Sequence, residues 1–409
     1  MSIVVIGAGQ AGLQTIMSLR QTGYEGDITL VGDEAFLPYQ RPPLSKAYLS
    51  GNMERERLFL KPDEFFTENN VTLKLNTSVE SLDAAAKSVT LSNGETLSFE
   101  YAVIATGSRP RLLNVPGREL ANIFDLRGMA DIDAMQPHFV EGKKLVVVGG
   151  GYIGLEVTAS LTKLGLRVDV IEMADRLLAR VASPQISAFF AELHQSHDVG
   201  LHIGANCREI LQKDDAFTGV QLDDGRQITA ELLLVGIGVL PDLDLAASAG
   251  IEAGNGILVD AMMQSSVQDI FAIGDVALID GAALRVESVD NAQMTAARAA
   301  AAICGLAQPS MAAPWFWSEQ FDVRLQSAGI VPLASPDLRH QLRPGKREGG
   351  FSVWSYGDKG KLAEVEAVRD PAGYMLGKKC LDLGLSPDPD DIGNGDFDLK
   401  GFVAAGNKK

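Results

Sequence analysis

Two short apolar runs each end at a cluster of glycines and lead into a helix-like segment. IVVI precedes GAGQAG near the start of the chain, and LVVV precedes GGGYIG near residue 150. Continuous apolar runs of this kind are typical of strands buried on both faces of a parallel sheet. A second apolar run follows each helix, from Ile28 to Val31 and from Val168 to Ile171. The pattern therefore predicts two βαβ units.

Both glycine clusters have the spacing of a dinucleotide-binding turn, at Gly7, Gly9 and Gly12 and at Gly149, Gly151 and Gly154. Such glycines let the backbone turn tightly and approach a pyrophosphate, whose charge then lies on free amides at a helix N-terminus. An acid for a ribose diol follows each turn: Asp33 comes 21 residues after Gly12, and Glu172 comes 18 residues after Gly154. A lone motif could be a tight packing turn, but two complete units disfavour that interpretation.

The order of segments predicts three domains. The strand Tyr101 to Ala105 runs into Thr106, Gly107 and Pro110, and a similar strand, glycine and proline sequence recurs at LLLVGIGVLPD. This duplicated exit predicts that a second nucleotide domain, residues 111–240, is inserted into a first, residues 1–110 and 241–310. Gly274 and Asp275 follow a further strand, where an acid could reach cofactor oxygens. Residues 311–409 form a mixed α/β third domain, and we expect the polar stretch from Ser386 onward to be loosely held.

Composition narrows the class of protein. The chain has 409 residues, 46% of them hydrophobic, and a net charge of −17, which disfavours nucleic acid and anionic membranes as partners. No apolar run approaches the ~18 residues of a membrane helix, and the first strand starts at residue 2, so we expect a cytoplasmic protein without an anchor. Three scattered cysteines and five histidines show no metal-ligand spacing. We therefore expect no metal site and buried, unreactive cysteines.

Seven segments carry a resemblance to a known family: GAGQAG, RPPLSK, ATGSRP, GGGYIGLE, GIGVLPD, IFAIGDVA and PWFWSEQ. Together they resemble flavoproteins of the pyridine-nucleotide-disulfide oxidoreductase fold, and within them the ferredoxin reductases of bacterial oxygenase systems, including the putidaredoxin reductase type that serves cytochrome P450 chains. The resemblance covers essentially the whole chain. It implies a glutathione-reductase-like α/β fold with two Rossmann-like domains, FAD in the first domain and NADH in the second. It also implies a 2Fe-2S ferredoxin as electron acceptor and a monomer or weak homodimer.

The same resemblance implies roles for individual residues. For FAD they are Gly7, Gly9, Gly12, Asp33, Lys46, Arg127, Asp275, Val289 and Trp317, and for NADH they are Gly149, Gly151, Gly154 and Glu172. Lys46 and Glu156 are the candidate catalytic pair, with Lys46 beside the flavin and Glu156 approaching both Lys46 and the nicotinamide.

Hydride transfer depends mainly on orientation, so we expect no catalytic triad. An ammonium at Lys46 would favour the negative charge of a reduced flavin, whereas an ordinary solvated lysine is the alternative. Glu156 could instead be a solvated acid in the first turn of a helix, and Trp315 and Trp317 could be core residues. The sequence has no histidine before His138, so we expect FAD to be held noncovalently.

The carboxylate of Glu172 accepts hydrogen bonds from a ribose 2′-hydroxyl and repels a 2′-phosphate, so we expect NADH to be preferred over NADPH. Arg176 lies four residues further on, where it could hold a phosphate and permit dual use. A basic cluster drawn from Arg285, Arg298, Lys378 and Lys379 would guide an acidic ferredoxin. The alternative is that these charges are scattered over the surface.

Four other classes share the nucleotide motifs. Disulfide reductases need a cysteine pair near the flavin, and NADH peroxidases and oxidases of this fold use a single cysteine in the region of Leu44-Ser45-Lys46, yet the first cysteine here is Cys207. A rubredoxin or nitrite reductase component differs mainly in its acceptor. A binding protein similar to apoptosis-inducing factor would form a tight charge-transfer complex and turn over slowly.

Overall fold

A computed structural model describes residues 2–331 and 338–407. The α-helices in these ranges are α1 Gln10–Gln21, α2 Asp63–Glu68, α3 Met129–Met135, α4 Tyr152–Lys163, α5 Pro184–Gln195, α6 Asp244–Ser248, α7 Val289–Ile303, α8 Pro371–Asp382, α9 Pro389–Gly393 and α10 Leu399–Gly406. The first strands are β1 Ser2–Ile6, β2 Asp27–Val31, β3 Val71–Lys74, β4 Val79–Asp83, β5 Ser88–Leu91, β6 Thr96–Ser98, β7 Tyr101–Ile104, β8 Ser108–Pro110 and β9 Ile123–Asp125. The middle strands are β10 Lys144–Val148, β11 Arg167–Glu172, β12 Gly200–Ile203, β13 Cys207–Lys213, β14 Ala216–Leu222, β15 Gln227–Thr229, β16 Leu232–Val235 and β17 Val239–Pro241. The last are β18 Ile257–Val259, β19 Ile270–Ala272, β20 Ala277–Ile279, β21 Trp315–Gln320, β22 Val323–Gly329, β23 Arg339–Pro344, β24 Phe351–Tyr356 and β25 Leu362–Val368.

The chain divides into two compact units. The first consists of Met1–Arg41, Glu54–Arg109 and Val239–Ala312, and the second of Pro42–Met53, Pro110–Gly238 and Ala313–Lys409. Each unit is therefore built from separated stretches of sequence.

The first unit is centred on a parallel sheet of strand order β19-β7-β1-β2-β3. β1 lies between β2 and β7, with Ile6 opposite both Val31 and Ile104. Helices cover both faces of such a sheet, so its central strand is almost entirely apolar, and β1 is buried from Ile3 to Ile6. The strand order changes direction at β1, and ligands of open α/β sheets bind at such a point, beyond the carboxyl ends of the strands.

The second unit contains a parallel sheet with an equivalent pattern, β12-β11-β10-β16-β9. β10 is its central strand, with Val148 opposite Ile171 on one side and Val235 on the other. The two Rossmann-like sheets predicted from the glycine motifs are thus both present.

The C-terminal part of the second unit is an antiparallel sheet of order β21-β22-β25-β24-β23. Helix α8 packs against it, and Gly377 of that helix leaves room for Val365, to which an added Cβ would come within 2.7 Å. This part of the chain mixes strands and helices, and it belongs to the same compact unit as the sheet centred on β10.

The prediction of a loosely held stretch after Ser386 is wrong for the described residues. Helices α9 and α10 lie there, and Ile392, Leu399 and Val403 are buried in the C-terminal core. Asp388 and Asp398 cap the two helices by accepting backbone N–H groups of Asp390 and Gly401, so these acids of the polar run serve helix formation. Lys408 and Lys409 lie outside the described residues.

Within residues 2–331 and 338–407, no helix is long and apolar enough to cross a bilayer.

Candidate functional site

The first glycine turn is closed by direct backbone contact. Gly7 has φ +115°, and a Cβ there would lie 2.2 Å from the carbonyl oxygen of Ala105. A Cβ at Gly12 would lie 2.0 Å from the oxygen of Gly7, whereas a Cβ at Gly9 would meet nothing within 4 Å. Two of the glycines are therefore required by the fold, and the third leaves open space in front of the first turn of α1.

The second turn repeats this geometry. Gly149 has φ +113° and its Cβ would lie 2.3 Å from the oxygen of Gly236, while a Cβ at Gly154 would lie 2.1 Å from the oxygen of Gly149. Gly151 again has nothing within 4 Å. Open space at the middle glycine, directly before a helix, is what a pyrophosphate needs to approach the free amides. Both turns thus fit a dinucleotide.

The two ribose acids do not occupy equivalent places. The amide of Gly7 donates to the oxygen of Val31 and that of Gly149 to the oxygen of Ile171, each at 2.8 Å. Glu172 directly follows Ile171, the residue whose oxygen accepts from Gly149. In the first unit the residue that directly follows Val31 is Gly32. Asp33 therefore lies one residue further along and is exposed.

Glu172 is held by the backbone. Its Oε2 accepts the N–H of Gly150 at 2.7 Å, and its Oε1 accepts that of Ala174 at 2.8 Å. The carboxylate is thereby fixed beside the second glycine turn. Arg176 is engaged elsewhere, because its guanidinium donates to the oxygens of Ala179 and Ala182 and to Ser187.

An acid that sequence reasoning missed lies beside Asp33. Glu34 accepts hydrogen bonds from Tyr39 at 2.6 Å and from Arg41 at 2.5 Å, and the Arg41 guanidinium also lies over the Tyr39 ring. The sequence contains one signal for this pair, Arg41 at the start of RPPLSK, but spacing alone does not identify Glu34 as its partner. Arg41 and Glu34 thus shape the end of β2 in the first unit.

Asp275 lies close to the first glycine turn. It follows Gly274, which has φ +67° and whose added Cβ would come 2.9 Å from the Cβ of Ala11 in the first turn of α1. The Gly274 amide donates to Thr295 Oγ1 at 2.9 Å, which ties this segment to α7. Val289 is the first residue of α7, after the capping residue Ser288. The first unit therefore brings Gly9 and Asp275 to the same end of its sheet.

Lys46 and Glu156 form a partly buried ion pair in the second unit, with 2.5 Å between Nζ and Oε2. The Glu156 side chain is 5% exposed and the Lys46 side chain 16%. Ser45 donates to the same carboxylate oxygen, also at 2.5 Å. Because Glu156 is buried, the alternative of a solvated first-turn acid is wrong, and so is that of a freely solvated Lys46.

The other oxygen of Glu156 is also engaged. Ser318 donates to Oε1 at 2.7 Å, Gln320 donates to Ser318 at 3.2 Å, and His194 lies 2.8 Å from the Gln320 amide oxygen. All of these side chains are buried. Sequence reasoning missed this network, although Ser318 directly follows Trp317 in PWFWSEQ.

Two further residues assigned by resemblance lie in the second unit. Arg127 is half-buried after β9, and its backbone N–H donates to Asp131 at 2.7 Å. Trp317 is half-buried and stacks on Trp315, with 5.5 Å between ring centroids. In contrast, Trp354 is fully buried. The core interpretation thus fits Trp354 better than the other two tryptophans.

Half of the proposed basic cluster is not at the surface. Arg298 is buried and donates to the oxygens of Ala261 and Pro309. The Arg285 side chain is 5% exposed and pairs with Glu287. Both were wrong as docking residues because an arginine can satisfy backbone carbonyls inside a fold. Lys379 is exposed, and Lys378 pairs with Asp382.

Two of the three cysteines are buried as protonated thiols. Cys207 and Cys380 are buried, and burial raises the pKa of each to about 11, so neither is a thiolate near neutrality. Cys304 is half-buried with Sγ 3.3 Å from Thr22 Oγ1. In the described ranges no group of three or more His, Cys, Asp or Glu residues is placed to hold a metal ion.

Comparison with known proteins agrees with this geometry. Residues 1–296 match the family described as pyridine nucleotide-disulphide oxidoreductase, and residues 315–403 match the reductase C-terminal family. The rhodocoxin reductase of Rhodococcus erythropolis is 39% identical over 408 residues, which cover 99% of this chain and 95% of that protein.

Two solved structures match nearly the full length. The ferredoxin reductase for the CYP199A2 system from Rhodopseudomonas palustris has a TM-score of 0.94 at 38% identity, covering 98% of this chain and 99% of its own. The covalent putidaredoxin reductase-putidaredoxin complex also gives 0.94, at 34% identity, covering 100% and 99%. The predicted fold class is therefore confirmed.

Proposed function

Because the chain belongs to the pyridine nucleotide-disulphide oxidoreductase family, we propose that it oxidises NADH and delivers single electrons to a 2Fe-2S ferredoxin serving a cytochrome P450 or a ring-hydroxylating oxygenase. The chain is an FAD- and NAD(H)-dependent oxidoreductase of the ferredoxin, rubredoxin and putidaredoxin reductase group. When bound, FAD supplies the conversion of a two-electron hydride into two separate electrons.

The observation that carries this proposal is the combination of two turns that fit a dinucleotide with the absence of a cysteine pair among the described residues. Gly9 and Gly151 each leave open space at a helix start, whereas Cys207 and Cys380 are buried as neutral thiols. All three cysteines are unpaired, so the part of the chain that the structure describes holds no disulfide to receive reducing equivalents. Export to a separate carrier accounts for both features, and the resemblance to the complex with putidaredoxin supports a small protein as acceptor.

We assign roles to this chain's own residues on the same basis. Gly7, Gly9, Gly12, Asp33, Asp275 and Val289, together with Lys46, Arg127 and Trp317, are the proposed FAD residues, and Gly149, Gly151, Gly154 and Glu172 are the proposed NADH residues. Lys46 carries positive charge that favours the reduced flavin, and Glu156 holds that ammonium in place. Glu172, fixed by two backbone amides, selects a free 2′-hydroxyl and hence NADH.

The flavin is expected to be noncovalent, because the first unit contains none of the five histidines. Acid or heat treatment should release all of the yellow colour into the supernatant.

The experiment is NADH-driven reduction of cytochrome c with and without added ferredoxins, repeated with a rubredoxin and at rising salt. Fast turnover that requires a ferredoxin supports the proposal, and a rate that falls with salt supports electrostatic docking. A faster rate with rubredoxin than with the ferredoxins would mean that rubredoxin, and not a ferredoxin, is the acceptor. Stable charge-transfer absorbance with slow turnover for every carrier would instead favour a binding role.

A further inference from the structure

Strand β21 runs alongside helix α4 in the second unit. Two pairs join them, Tyr152 with Phe316 at 4.6 Å between ring centroids and Glu156 with Ser318 at 2.7 Å. A third contact, from Lys163 Nζ to the oxygen of Phe321 at 2.6 Å, lies just after the end of the strand. Four helical residues advance by about 6 Å, and two strand residues by about 6.6 Å. The first two pairs therefore advance together along both elements, and Phe316, Ser318 and Gln320 share the face of β21 toward α4.

In the series of hydrogen bonds from His194 to Glu156, each group donates to the next one toward Glu156. Burial lowers the pKa of His194 to about 4, so its ring is neutral. Its Nδ1 has no partner among the described residues, and its Nε2 faces the Gln320 oxygen, which requires Nε2 to carry the proton. This bond fixes the Gln320 amide so that its nitrogen donates to Ser318. The Ser318 hydroxyl is then left to donate to Glu156 Oε1.

The second oxygen of Glu156 accepts from Lys46 and Ser45. The carboxylate cannot rotate to follow a moving Lys46 without giving up its bond from Ser318. Since the Glu156 side chain is 5% exposed, water is poorly placed to replace that bond.

We propose that Ser318 is a positioning residue for hydride transfer, whose hydroxyl fixes the Glu156 carboxylate and thereby holds the Lys46 ammonium in one place. Gln320 and His194 act through Ser318, since they set the direction in which its hydroxyl donates. The inference rests on the proposed role of Lys46 in favouring the reduced flavin.

The test begins with rapid mixing of the FAD-loaded protein with NADH, without any ferredoxin, for the wild type, Ser318→Ala and Ser318→Thr. We expect Ser318→Ala to lower the limiting rate of flavin bleaching about tenfold with little change in the NADH concentration for half-maximal rate. Ser318→Thr keeps the hydroxyl and should restore most of the rate.

A matched control is Ser352→Ala in the same sheet. Ser352 is fully buried and accepts a hydrogen bond from the Trp354 indole, and it takes no part in the hydrogen bonds from His194 to Glu156 described above. Its loss should lower the melting temperature to a similar extent and leave the bleaching rate unchanged.

A second readout does not depend on turnover. Brief acetylation followed by mass spectrometry measures how freely Lys46 reacts, with the exposed Lys379 as internal reference. Ser318→Ala should raise Lys46 labelling severalfold, because the ammonium is no longer held against a fixed carboxylate, and Ser352→Ala should not.

The outcomes distinguish a failure of the proposed function from a failure of the positioning role of Ser318. If NADH fails to bleach the wild-type flavin, the proposed function fails. If the wild type is bleached but Ser318→Ala matches it in both rate and Lys46 labelling, the positioning role is overturned. The same result follows if Ser352→Ala slows bleaching as much as Ser318→Ala does.

Discussion

Both carboxylate oxygens of Glu366 accept the backbone N–H of Ser183, at 3.2 and 3.1 Å. Glu366 lies on β25 and is fully buried, and Ser183 is the residue directly before α5. Burial raises the pKa of Glu366 to about 7, although the hydrogen bonds from Ser183 and the charge of Arg176 oppose this shift. The start of α5 is therefore held by an acid that titrates near neutral pH.

We expect Glu366→Gln to change how stability depends on pH. Because the pKa is raised from 4.5 to about 7 on folding, the stabilisation from this site is complete below pH 4.5 and is lost as the pH rises through 7. The amide of glutamine does not ionise, so the variant avoids this loss. The free energy of unfolding of the variant minus that of the wild type should therefore be up to about 3 kcal/mol larger above pH 7 than at low pH.

Urea unfolding from about pH 5 to about pH 8 measures this difference. Glu348→Gln is the control, because Glu348 is exposed. A constant difference between Glu366→Gln and the wild type across that range would contradict the prediction.

Substitutions at neighbouring glycines should separate cofactor binding from folding. Gly151→Ala meets no atom within 4 Å and Gly151 has an ordinary φ of −83°, so the protein should fold and load FAD, but NADH should bind at least about tenfold more weakly. Gly154→Ala places a Cβ 2.1 Å from the Gly149 oxygen and should destabilise the fold itself.

The measurements are NADH titration of the flavin spectrum and thermal melting. Equal NADH affinity in Gly151→Ala and the wild type would remove that residue from the pyrophosphate site.

Selectivity for NADH should depend on the end of β11. Replacing Glu172 by serine removes the carboxylate, and Met173→Arg adds a cation at a side chain that is 72% exposed. Together they should raise the ratio of kcat/KM for NADPH over NADH at least about tenfold. Met173→Arg alone, which retains the carboxylate, is the control. Unchanged selectivity in the double variant would exclude Glu172 as the determinant.

The C-terminal helices should contribute to stability. Ile392 is fully buried, so Ile392→Ala should cost about 2 to 5 kcal/mol in the free energy of unfolding. Lys400→Ala, at an exposed position in α10, should change it by less than about 0.5 kcal/mol. Similar unfolding midpoints for the two variants would show that the C-terminal end is loosely held and contributes little to stability.

The sequence predicted those features that depend on local spacing. The apolar runs and glycines located both parallel sheets, because each glycine has a steric role within a few residues of itself, as at Gly12 against Gly7.

Features that depend on distant partners were not predictable in this way. Ser318 lies 162 residues from Glu156, and no local pattern distinguishes it from an ordinary strand serine. Arg298 was taken for a surface charge because composition does not reveal the carbonyls of Ala261 and Pro309. The acids near Ser386 suggested disorder because a capping aspartate and a solvated one look alike in sequence.

The offset between Asp33 and Glu172 has an evolutionary consequence. In each unit the glycine turn proposed to bind phosphate is packed against backbone carbonyls, whereas the acid proposed to bind the ribose is supplied by a separate strand end. Mutation can therefore retune which adenine dinucleotide is accepted at one strand end and leave the anchoring of its diphosphate untouched.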